Sequence, residues 1–139
     1  MKQTKRFISS LLIVCMLIGS LPVPGFQMEA KAAVTKGMSF VGVNTDSSGD
    51  GYYYNASDKI LTLENGFVLN TSGEGTSAMT LKPGTTIVLK GNAEIRTDET
   101  GIDAIGNLTI ESADDVNGKL SIICTQVGAG STYKYGIRM

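Results

Sequence analysis

Short apolar triplets separated by glycine and asparagine recur along this chain and leave little room for anything but β structure. Leu61-Thr62-Leu63 is followed by Asn65-Gly66, Ile87-Val88-Leu89 by Gly91-Asn92, and Leu108-Thr109-Ile110 is preceded by Gly106-Asn107. In an extended strand the two apolar residues of such a triplet share one face and the residue between them takes the other. Gly and Asn are the residues that bend a chain at positive φ. After residue 32 no window places apolar residues at the i, i+3, i+4, i+7 spacing of a helix, and glycine is too dense for helix interiors. Strands are therefore predicted at 39–43, 59–63, 67–69, 85–90, 108–110 and 119–124.

The repetition narrows the all-β class further. The triplets return after 26 and 21 residues, and Gly101-Ile102 returns as Gly136-Ile137 after 35. Gly91-Asn92-Ala93-Glu94-Ile95 is nearly rewritten as Gly106-Asn107-Leu108-Thr109-Ile110. Units of this length, each holding short strands and turns, predict a right-handed parallel β-helix, a solenoid whose coils stack Ile, Leu and Val inward. A β-sandwich also has closely spaced strands, but it has no reason to reuse the same words. The expected core is Leu61, Leu63, Ile87, Leu89, Leu108, Ile110, Leu120 and Ile122. The chain stops at Tyr135-Gly136-Ile137-Arg138-Met139, which reads as the opening of another repeat, so a fragment of a longer protein with an unpaired strand edge is expected.

Residues 1–32 read differently. Lys2, Lys5 and Arg6 precede an apolar run from Phe7 to Ile18 that is too short to span a bilayer. Gly19, Pro22, Pro24 and Gly25 follow, and then Ala30-Lys31-Ala32-Ala33 presents small residues where a signal peptidase reads them. Cleavage between Ala32 and Ala33 is expected, leaving a secreted or cell-surface domain at 33–139 with no membrane segment of its own. Cys15 would leave with the leader, and Cys124, in an apolar run, reads as a small buried side chain.

Charge and composition exclude several functions. Removing Lys2, Lys5, Arg6, Lys31 and Glu29 from the 12 basic and 13 acidic residues leaves eight against twelve, a poor match for nucleic acid, which needs clustered cations. The chain has no His, so a Ser-His-Asp triad, a Cys-His pair and a His-ligated zinc are unavailable within it. Arg96 lies near Asp98, Glu99 and Asp103, the ingredients of a Ca²⁺-dependent polysaccharide lyase, although neighbours on one turn more often form a solvated charge cluster. Asp114-Asp115 reads as a turn.

Two constellations remain as candidate sites. Asp46-Ser47-Ser48-Gly49-Asp50-Gly51 repeats the first half of a calcium loop, with Asp46 and Asp50 as ligands for Ca²⁺, although a simple Gly-Asp-Gly turn explains the same residues. Tyr52-Tyr53-Tyr54 is the single aromatic cluster. Its rings either stack on sugar faces or, because side chains alternate along a strand, turn Tyr52 and Tyr54 inward as a cap and leave Tyr53 outside.

The stretch from Ser48 through Tyr52-Tyr53-Tyr54-Asn55-Ala56 to Leu61-Thr62-Leu63, and the coil-like Gly101-Ile102-Asp103-Ala104-Ile105-Gly106-Asn107-Leu108-Thr109-Ile110, resemble the β-helical carbohydrate-binding domain-containing surface proteins of Gram-positive bacteria. The resemblance spans about residues 41–139. It implies a pectate-lyase-like solenoid without catalytic activity that binds polysaccharide of plant cell walls or mucosal glycans. A structural or adhesive stalk and a Ca²⁺-dependent lyase are the competing expectations.

Overall fold

The computed structural model describes residues 32–125 and 135–139. Residues 1–31, nearly all of the expected leader, lie outside the described residues. Among those described there are twelve strands and no helix.

Alternation builds the strands that carry the fold. In β4 (Ile60–Glu64), Leu61 and Leu63 are buried while Thr62 and Glu64 face outward. β7 (Thr85–Lys90) buries Thr85, Ile87 and Leu89, and β8 (Asn92–Thr97) buries Ala93, Ile95 and Thr97. The same pattern holds in β5 (Phe67–Asn70), β6 (Met79–Leu81) and β9 (Ile102–Ala104). Shorter pieces complete the set: β1 (Met38–Ser39), β2 (Ser47–Gly49), β3 (Tyr52–Asn55), β10 (Leu108–Ser112), β11 (Lys119–Cys124) and β12 (Ile137–Arg138).

The strands form three sheets. Sheet I has the order β1-β6-β9-β12, sheet II β10-β7-β4-β3-β2, and sheet III β11-β8-β5. From β4 onward the chain visits sheets II, III and I in turn, three times over, and each new strand pairs in parallel with its predecessor in the same sheet. Register stacks like on like. Leu61 lies beside Ile87 and Ile87 beside Ile110; Leu69, Ile95 and Ile122 form a second column; Met79, Ile102 and Ile137 form a third. Burying one such side chain fully contributes about 1.5–3 kcal/mol, so these columns are the main source of stability.

Two sequence expectations change here. Leu108-Thr109-Ile110 does not align with Ile87-Val88-Leu89: Leu108 pairs with Thr85 and Ile110 with Ile87, a shift of one inward position. The near-copied words at 91–95 and 106–110 fall in β8 and β10, on different sheets. What they share is a corner, since Gly91 and Gly106 both hold positive φ (149° and 115°) just before a strand begins.

Burial of the expected core is also uneven. Leu61, Leu63, Ile87 and Leu89 are buried, whereas Leu108, Leu120 and Ile122 are half-buried and Ile110 is 38% exposed. β10, β11 and β12 are the outermost strands of their sheets, so their inward side chains are covered on one side only. The opposite end is closed by aromatics. β2 and β3 add to sheet II as antiparallel strands, and the ring of Tyr54 lies 4.5 Å from that of Phe40. Tyr52 meets Phe40 and Phe67 edge-on at 6.1 and 6.4 Å. The first described residue with a sheet partner is Val34, which bridges to Leu69 two positions beyond Ala32.

Candidate functional site

Antiparallel pairing of β3 with β4 decides which tyrosine reaches the surface. Tyr52 lies opposite Leu63 and Tyr54 opposite Leu61, both inward columns, so Tyr53, opposite Thr62, must point out. Tyr54 is completely buried and Tyr52 half-buried, while Tyr53 is 43% exposed. Alternation thus splits the aromatic cluster. Tyr54 has no surface to offer a sugar, Tyr52 is held against Phe40 and Phe67, and Tyr53 keeps a free ring.

The Tyr53 ring is fixed by its hydroxyl, which donates to Asp46 Oδ2 at 2.8 Å. Asp46 Oδ1 accepts the Ala56 amide at 2.9 Å, so one carboxylate clasps the segment leading into β2 to the turn after β3. The Ala56 amide and the Tyr53 hydroxyl hold the Asp46 carboxyl below the ordinary aspartate range. The bond to Asp46 pushes the Tyr53 phenol above the ordinary tyrosine range. The turn itself is knotted by Asn55, whose Oδ1 accepts the amides of Ser57 and Asp58 at 3.0 Å each and whose Nδ2 donates to Asp58 at 2.8 Å.

Around Tyr53 the outward positions of sheet II fall into rows that cross the strands. One row runs Ser48, Tyr53, Thr62, Val88 and Glu111; the next runs Asn55, Ile60, Thr86 and Thr109. Neighbouring positions in a row are about 4.8 Å apart. A third pairs Glu64 with Lys90, whose ammonium reaches the carboxylate at 3.0 Å. The result is a sheet surface with one fixed aromatic ring and a field of threonine hydroxyls and methyl groups. Thr62, Val88 and Thr109 are the middle residues of the three apolar triplets and Thr86 lies just before one of them; none was singled out as a site residue, because each is ordinary alone and acquires meaning only through register.

The calcium candidates take different roles. Asp46 immediately precedes β2 and has both carboxylate oxygens engaged by Tyr53 and Ala56, while Asp50 lies exposed in the turn between β2 and β3. No group of three or more His, Cys, Asp or Glu suited to a metal ion occurs among the described residues. Of the proposed lyase ingredients, Arg96 and Asp103 fall on different sheets, while Asp98 and Glu99 directly follow β8. Arg96 lies on the outer face of β8 and its Nε donates to Glu94; Asp103 lies on β9, in another sheet, and binds Arg138 through Nε at 3.0 Å and through Nη2. Asp98 accepts the Gly73 amide at 3.0 Å. Asp114 and Asp115 occupy the turn between β10 and β11, with Asp115 at φ 61°.

Comparison with known protein families, with curated proteins and with solved structures finds no match.

Proposed function

We propose that this chain is a parallel β-helix module that binds polysaccharide on the outer face of sheet II and catalyses no reaction on it. The cyclic order of strands through three sheets, with parallel pairing and in-register columns, supports the solenoid. Right-handed coiling follows from the strong preference of parallel crossovers. The leader pattern ending at Ala32-Ala33 supports export to the medium or cell surface, where such glycans are found. The resemblance of the Tyr52–Asn55 region and the Gly-Ile-containing coils to carbohydrate-binding surface proteins points the same way.

One observation carries the binding role: an exposed tyrosine ring held in a single orientation by Asp46, beside rows of outward threonines. A sugar stacks its C–H face on such a ring and exchanges hydroxyl hydrogen bonds with the neighbours. The missing His and the pairing of Arg96 with Glu94 on the same strand of sheet III favour the non-catalytic reading. A rigid stalk is the second reading, favoured by the unbroken register of the three sheets.

Affinity electrophoresis through gels containing soluble polysaccharides separates the two. Retardation of the wild-type protein that falls about tenfold in affinity in Tyr53→Ala, with an unchanged far-ultraviolet circular dichroism spectrum, fits the loss of one stacking contact. No retardation by any neutral or acidic glycan leaves the stalk.

A further inference from the structure

Resting on that reading, we infer that the sheet II face selects neutral polysaccharides and rejects polyuronates. The inference comes from the charges that frame the Tyr53 ring. Asp46 and Asp58 lie at the Asn55 end of the face, Glu111 extends the row of Tyr53, Thr62 and Val88 on β10, and Glu64 lies at the far end of β4. Against these four carboxylates stand two ammonium groups. Lys90 is matched to Glu64 at 3.0 Å, and Lys59 Nζ donates to the Pro83 carbonyl at 3.1 Å, at the corner that leads into β7. Lys90 offsets Glu64, and Lys59, whose carbonyl partner is neutral, offsets one more carboxylate, so the face keeps an excess of two negative charges.

The consequence for a ligand is electrostatic. A polyuronate brings one negative charge per sugar, and crossing the rows would bring those charges past Asp46, Asp58 and Glu111 with no arginine fork to accept them. A neutral chain meets no such penalty. Its apolar C–H faces can cover Tyr53, Val88 and the threonine methyl groups, while its hydroxyls reach the hydroxyls of Thr62, Thr86 and Thr109. Ala56 and Tyr53 both donate to Asp46 and hold its carboxyl below the ordinary aspartate range.

An array printed with neutral polysaccharides (β-glucan, mannan, xylan backbone) and uronic-acid polymers (polygalacturonate, alginate) tests this with the full chain. The inference expects binding to at least one neutral polymer, unaffected by salt and lost in Tyr53→Ala, with no binding to either polyuronate at low ionic strength. It also expects Glu111→Lys to weaken the discrimination against polyuronates relative to the neutral polymer by about two- to fivefold, the scale of an exposed ion pair. Binding to a polyuronate as tight as to any neutral polymer, again lost in Tyr53→Ala, overturns the selectivity while keeping the binding role. Binding to neither class overturns both.

Discussion

The hydroxyl of Tyr53 and the carboxylate of Asp46 meet at 2.8 Å across the β2–β3 hairpin, and the second oxygen of the same carboxylate holds the Ala56 amide. Replacing Asp46 by Ala removes both bonds at once. The expected outcome is a lower thermal midpoint together with a weaker glycan signal, because the tyrosine ring loses its fixed orientation. Asp46→Asn should recover part of each, since an amide oxygen still accepts one donor. The pH dependence has a definite sign. The Asp46 carboxyl lies below its unfolded value, so its stabilisation is present above about pH 4 and disappears as pH falls further. Tyr53 lies above its unfolded value, so its share is present below about pH 10 and disappears as pH rises beyond it. Thermal melts across that range should show a plateau with losses at both ends, and the acid loss should be smaller in Asp46→Ala.

A different tyrosine gives an opposite result. Tyr54 is fully buried, its hydroxyl has no hydrogen-bond partner among the described residues, and burial pushes its phenol above the ordinary range. An unpaired buried hydroxyl costs about 1–3 kcal/mol. Tyr54→Phe keeps the contact with Phe40 and removes that cost, so urea unfolding should find it as stable as wild type or more stable by about 1 kcal/mol. Tyr54→Ala should lose about 3–5 kcal/mol by opening a cavity at the covered end of the sheets. A Phe variant less stable than wild type by more than 1 kcal/mol would mean that the hydroxyl is satisfied in solution.

The corner between β7 and β8 depends on a glycine for two reasons. Gly91 has φ +149°, and a Cβ there would lie 2.3–2.6 Å from the side chain of Asn65, whose Oδ1 accepts the Asn92 amide at 2.9 Å. Gly91→Ala should therefore cost about 1–3 kcal/mol in strain and displace that asparagine. Combining it with Asn65→Gly removes the clash but not the strained backbone, so the double variant should lose less than the sum of the single losses in equilibrium unfolding. Strict additivity would show that the side chains do not meet.

On sheet I, the forked contact between Arg138 and Asp103 ties β12 to β9. The Arg138 guanidinium holds the Asp103 carboxyl below its ordinary range, so this tie is present above about pH 4 and weakens as pH falls below it. Hydrogen exchange at the Ile102 amide, which donates to Gly136 at 2.9 Å, should quicken in Arg138→Ala and on acidification of the wild type. The variant should show little further change with acid.

Much of the fold could be read from residue order, and the reason is local. Alternation marked Leu61, Leu63, Ile87 and Leu89 as inward, and Asn-Gly and Gly-Asn corners marked the strand limits, because both signals reside within a few residues. Gly101-Ile102 and Gly136-Ile137 were rightly equated, and Ile102 pairs with Ile137. The alignment of Leu108-Thr109-Ile110 was misjudged, because register is set by corners and not by the look of a triplet. Gly84 donates to Asn107 at 2.8 Å, and this places Leu108 beside Thr85. The strands β8 and β9 were missed because they mix Asn, Glu, Arg, Thr, Asp or Ala with a single Ile each; β6, Met79-Thr80-Leu81, has the alternating pattern of the triplets but no Asn-Gly or Gly-Asn pair beside it. The site followed the same division. Tyr53 as the outward ring was open to a reading of alternation, whereas its clasp to Asp46 and its alignment with Thr62 and Val88 arise from cross-strand pairing. Arg96 and Asp103, seven positions apart in sequence, were assigned to one cluster, and a corner sends them to different sheets.

The most direct measurement of the binding role is a map of amide chemical shifts during titration with the polysaccharide that retards the protein in affinity gels. The proposed role requires the largest changes at Tyr53, Thr62, Thr86, Val88 and Thr109, which share the outer face of sheet II, and small changes at Glu94, Arg96 and Asp103 on sheets III and I. Largest changes at Glu94 and Arg96, with Tyr53 and Thr62 unmoved, would contradict it.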